Sequence, residues 1–81
     1  MCEGQIVCVL SGRDKGEFMI VMSVEGNTVT LSNGRERPID KPKLKNIKHI
    51  LPNNFIADKN KLLTNMSIRH TISDYLNSRR S

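Results

Sequence analysis

The sequence predicts a mainly β fold, closely spaced antiparallel strands forming a small barrel and followed by a C-terminal α-helix. Three observations predict it. Residues 6–21 set an apolar strand, a tight loop punctuated by Gly12 and Gly16, and a second apolar strand in immediate succession. Asn33-Gly34 is a strong short hairpin signal between extended segments. Ile68, Ile72, Tyr75 and Leu76 recur at offsets of four, seven and eight, which is one helical stripe.

The elements follow in order. Residues 5–10 and 17–23 are rich in β-branched and large apolar side chains and read as strands one and two. Along strand two, Phe18, Ile20 and Met22 share one face and Met19, Val21 and Ser23 the other, so both faces are expected to be covered. Glu25-Gly26-Asn27 makes a turn. Thr28 to Ser32 alternates, with Val29 and Leu31 inward and Thr28, Thr30 and Ser32 outward. After Asn33-Gly34 a fourth strand is expected over Arg35 to Ile39. Pro38, Pro42 and Pro52 limit pairing nearby, because each lacks a backbone donor. Leu44, Ile47 and Ile50 are three apart, which is not strand periodicity. Residues 52–64 read as a connection anchored by Phe55, Ile56, Leu62 and Leu63. Asn65 is expected to cap a helix over 66–78 whose stripe packs on the barrel, with Arg79 and Arg80 complementing its dipole.

At 81 residues the chain is one small domain with a marginal core. A hydrophobic content of 37% is enough for a globular fold and too high for a disordered tail. No apolar run is long enough for a membrane helix, and Met1 is followed by Cys2-Glu3-Gly4 rather than a secretory leader. A cytoplasmic location is therefore expected. In that setting a disulfide between Cys2 and Cys8 is not expected, and Cys8 reads as a small buried apolar residue.

The formal charge of +5 is unevenly spread. Residues 1–34 carry two basic and four acidic side chains, a net of −2. Residues 35–49 carry six against two, a net of +4, and residues 50–81 five against two, a net of +3. A basic segment in mid-chain is the footprint of a polyanionic partner, although lysines on a solvated face give the same composition.

Other chemistries fit poorly. Gly12 to Gly16 lacks the Gly-Lys-Ser/Thr ending and following helix of a nucleotide phosphate loop. His49, His70, Cys8 and Asp14 have no spacing that marks a catalytic triad, and no cysteine–histidine set marks a metal site. Neither a cofactor nor a small-molecule substrate is expected. Asp14 reads as a tie for its own loop, or a partner of Arg13 or Lys15, rather than a metal ligand. Phe18 and Tyr75 look buried by pattern, leaving Phe55 as the one available stacking surface. RNA shape and backbone are then the expected targets, rather than splayed bases.

Ile6-Val-Cys-Val-Leu-Ser-Gly-Arg-Asp-Lys-Gly-Glu-Phe-Met-Ile-Val resembles the KOW motif of ribosomal proteins and elongation factors, with Gly12 as its central glycine. Arg35-Glu-Arg-Pro and Lys41-Pro-Lys-Leu-Lys-Asn-Ile-Lys-His-Ile look like the archaeal and eukaryotic large-subunit ribosomal protein family numbered fourteen and its short bacterial relatives. The resemblance implies an SH3-like barrel of about five antiparallel strands over 4–51, closed by a strand near 45–50, with the connection 52–64 and the helix segment 65–79 completing one domain. It implies a non-enzymatic RNA-binding protein, with ribosomal or other structured RNA, and ribosomal proteins, as partners. Gly12 and Gly16 would shape the loop. Arg13, Lys15, Arg35, Arg37, Lys41, Lys43, Lys45 and Lys48 would neutralise phosphates. His49 would either join them or fill the barrel rim. The alternative is a protein-interaction adaptor of the elongation-factor type, in which the basic residues matter less than the helix surface.

Overall fold

Five strands follow one another with only short breaks in a computed structural model of the chain, which describes residues 1–79. They are β1 (Gln5–Val9), β2 (Phe18–Glu25), β3 (Thr28–Ser32), β4 (Lys43–Asn46) and β5 (Ile50–Ile56), and α1 (Asn65–Ser78) ends the fold. All neighbours pair antiparallel in the order β4-β3-β2-β1-β5. The sheet curls, so that a 3-10 turn at Ile47–His49 carries the chain from one edge strand to the other. The result is a small barrel-like sheet with a helix on its outer face.

Two apolar layers share β1 and β2 as a common wall. Inside the curl, Val7 and Val9 meet Met19, Val21, Val29, Leu31 and Ile50. On the outer face, Ile6 and Ile20 meet Ile68 and Ile72 of α1 and Leu62 of a 3-10 turn at Lys59–Leu62, with Phe18, Met22, Tyr75 and Leu76 at the margin. The alternation expected in strand two is therefore present, and both of its faces are covered. The helical stripe packs where expected. Each fully buried Val, Ile or Leu contributes about 1.5–3 kcal/mol relative to exposure. The β2–β3 register slips between Val21 and Ser23, a bulge at Met22 that bends β2.

Several expectations need correction. The fourth strand over Arg35 to Ile39 does not form. The Asn33 side-chain oxygen accepts hydrogen bonds from the amides of Arg35 and Arg37, which closes a side-chain turn in place of a two-residue hairpin. Ser32, expected to face outward, is buried, and its hydroxyl donates to the Arg37 carbonyl at 2.7 Å. The single closing strand near 45–50 is two strands, β4 and β5, separated by the 3-10 turn. The three-residue spacing of Leu44, Ile47 and Ile50 reflects that turn, capped by the Asn46 side chain on the Lys48 amide. β5 extends the barrel to Ile56, into what read as a connection. Cys8 is half-buried rather than buried.

The helix cap is Thr64, whose hydroxyl accepts from the Ser67 amide at 3.1 Å. Asn65 instead accepts from the Ile39 amide at 2.8 Å and ties the β3–β4 loop to α1. Thr64→Ala should lower stability by about 1 kcal/mol, a fall in Tm of about 4–8 °C. An unshifted melt would show that the hydroxyl does not cap the helix. No helix among the described residues is long and apolar enough to cross a membrane.

Candidate nucleic-acid interface

The β1–β2 loop lies at the centre of the candidate site. Its neck is closed by the Val9 amide donating to the Glu17 carbonyl and the Gly16 amide donating to the Val9 carbonyl. Within it the Lys15 amide reaches the Gly12 carbonyl and the Glu17 amide the Asp14 carbonyl. Gly12 and Gly16 have φ of +83° and +88°, so the turns fall where a side chain would be strained. Arg13 and Lys15 are exposed at the tip.

Side chains from distant segments converge on this loop. Arg37 donates through Nη2 (3.0 Å) and Nε (3.3 Å) to Asp14 Oδ2, making the ion pair on which the loop leans. Asp14 does tie down its loop, but through Arg37 and not through Arg13 or Lys15. Lys45 donates from Nζ to the Ser11 carbonyl at 2.9 Å and lies against Gly12. The His49 carbonyl accepts from the Leu10 amide, so the half-buried His49 stands at the loop's base.

β4 explains how Lys45 gets there. Lys43 and Lys45 pair with Leu31 and Val29, the strand positions that face the interior, while Leu44 between them is 64% exposed. The usual pattern is inverted on this edge strand. Both lysines are half-buried on this edge, and the Lys45 stem runs along it to bring its amine onto the Ser11 carbonyl.

The remaining candidates spread more widely. Arg35 is exposed and lines a groove of about 470 Å³ with Gly16, Glu17, Glu36 and, on α1, Arg69. Lys41 is exposed on the β3–β4 loop, and Lys48 is exposed on the 3-10 turn that bridges from Asn27 to Leu10. The structure therefore gathers Arg13, Lys15, Arg37 and Lys45 about one loop, with Lys43 and His49 beside them. Arg35 reaches the same loop from the helix side. Asp14, Glu17 and Glu36 lie among these cations, and Arg37 is largely neutralised by Asp14.

A second cluster lies next to the loop. The Phe18 and Tyr75 ring centroids are 6.2 Å apart and those of Phe55 and Tyr75 are 5.6 Å apart, both pairs tilted. Arg79 places its guanidinium 5.2 Å from the Phe18 centroid and 5.7 Å from that of Tyr75. Phe18 and Tyr75 are half-buried, not buried, so aromatic surface is not confined to Phe55. The i, i+4 spacing of Tyr75 and Arg79 could have flagged part of this cluster. Arg80, expected to complement the dipole, lies outside the described residues. Among the described residues no group of three or more His, Cys, Asp or Glu side chains could hold a metal ion. In comparison with known proteins, no family model and no curated protein matches this chain.

Proposed function

We propose that this chain is a non-enzymatic, cytoplasmic RNA-binding domain that holds structured RNA, such as ribosomal RNA, by its phosphate backbone. One observation carries the proposal: Lys45 on Ser11 and Arg37 on Asp14 draw cations from β4 and the β3–β4 loop onto the loop bearing Arg13 and Lys15. A rigid loop with cations at its tip and flanks suits a backbone contact, because fixed charges need little reordering on binding. The resemblance of residues 4–23 to the KOW motif supports the same assignment.

The ties also limit the contact. Arg37 shares its charge with Asp14, and Lys45 donates to a carbonyl. Arg13 and Lys15 at the loop tip carry most of the phosphate binding, with Lys41 and Lys43 as outlying contacts, about four in all. Log affinity against log salt should then fall with a slope of roughly −3.5 on duplex-like RNA, about a hundredfold loss between 50 and 200 mM salt. Titration of a structured ribosomal RNA fragment checks it. A flat response would remove the backbone mechanism.

Leu63 and Met66, 76% and 58% exposed near the start of α1, favour the adaptor alternative. In that case polar substitution of these two residues would abolish partner capture, and charge reversal at Lys41 and Lys43 would be nearly silent.

A further inference from the structure

The outer side of β5 contains a pocket made by a break in the β1–β5 ladder. Pro52 pairs with Val7 and Ile56 with Gln5, so Asn53, Asn54 and Phe55 stand opposite the single residue Ile6. A bulge of this kind re-aims side chains out of the ladder. Gln5 Nε2 donates to the Asn53 carbonyl at 2.8 Å and holds the bulge in shape. Phe55, 42% exposed, is thereby turned against Tyr75. Pro52, Asn53, Asn54, Phe55 and Tyr75 line a shallow, open depression of about 450 Å³, which suits a flat group lying on a ring face better than an enclosed ligand. Asn53 and Asn54 bring two carboxamide side chains to the lining beside the rings.

We propose that this bulge pocket takes one unpaired nucleobase of the RNA held at the β1–β2 loop, stacked on Phe55 and Tyr75. The inference rests on the RNA-binding proposal and goes beyond it, since base capture adds selection for RNA with an unstacked nucleotide. Three features favour a base over an apolar side chain. The walls combine aromatic faces with two carboxamides, which offer both the donors and the acceptors of a base edge. Arg79, over the rings of Phe18 and Tyr75, supplies a cation where the nucleotide's phosphate would pass. Phe18 immediately follows Glu17 at the loop neck and touches Tyr75, so the pocket adjoins the basic loop through one continuous ring cluster.

The test uses the full chain and two RNA probes, a hairpin with one bulged 2-aminopurine and the same hairpin fully paired. Binding should quench the bulged 2-aminopurine. Phe55→Ala should weaken binding of the bulged hairpin about tenfold or more, leave the paired hairpin and the salt slope unchanged, and abolish the quench. Phe55→Trp should retain both affinity and quench, which separates stacking from a folding defect. Equal effects of Phe55→Ala on both hairpins, or no effect on either, overturns the pocket while salt-dependent binding keeps the backbone proposal. If Phe55→Ala acts as expected but the salt slope is flat, the backbone proposal fails and the pocket stands. Failure of the wild-type protein to bind either hairpin overturns both.

Discussion

Gly34→Ala is expected to lower the unfolding free energy by roughly 2–5 kcal/mol, a large share of what an 81-residue domain possesses. Gly34 has φ of +73°, and a β-carbon there would meet the backbone carbonyl of Asn65 and the Cγ of Arg69. Arg69 could swing aside, but the Asn65 carbonyl cannot, because it belongs to the first turn of α1. That turn is fixed by the Thr64 cap and by the Ile39–Asn65 hydrogen bond. Relief would require the helix to back away from β1 and β2. Gly26 is the control: φ is +61°, but nothing lies within 4 Å of its would-be β-carbon. Gly26→Ala should therefore cost only about 1–2 kcal/mol for the left-handed backbone. Urea melts of the two variants check the comparison, and equal losses would rule out the helix–turn contact as the cause.

Reversing charge at both Arg13 and Lys15 is expected to give the largest functional loss, about a hundredfold in affinity for structured RNA near 0.1 M salt. The salt slope should become shallower by about 2. Both side chains are exposed at the loop tip, so the thermal melt should stay within about 0.5 kcal/mol of the parent. Lys59→Glu with Lys61→Glu makes the same change in net charge on an exposed 3-10 turn away from the loop. If that pair weakens binding equally, overall charge matters and not the loop. Filter binding over a salt series separates the two.

Much of this architecture could be read from the residues. β1, β2 and β3 were legible because their β-branched side chains alternate, and α1 because Ile68, Ile72, Tyr75 and Leu76 keep a helical period. β4 was not legible, since its interior-facing positions are Lys43 and Lys45 and its exposed one is Leu44. Such an inversion is stable only on an edge with an open rim, which a linear pattern does not reveal. β5 was hidden by Pro52 and by the extra residues of its bulge. The Asn33 turn competed successfully with a hairpin because one side-chain oxygen satisfies two amides. The cations were visible individually, whereas their gathering depends on curling of the sheet, which brings residues 37 and 45 beside residues 11–14. The aromatic cluster depends on the bulge, so Phe55 carried no sign of its neighbour Tyr75.

The partition formed by β1 and β2, apolar on either side, has a consequence for how the molecule comes apart. Detaching the helix would wet Ile6 and Ile20, and opening the curl would wet Val7 and Met19 on the reverse of the same backbone. Loss of either layer leaves the shared wall wet on one side. The two layers are therefore coupled through one pair of strands, and losing one weakens the wall on which the other rests.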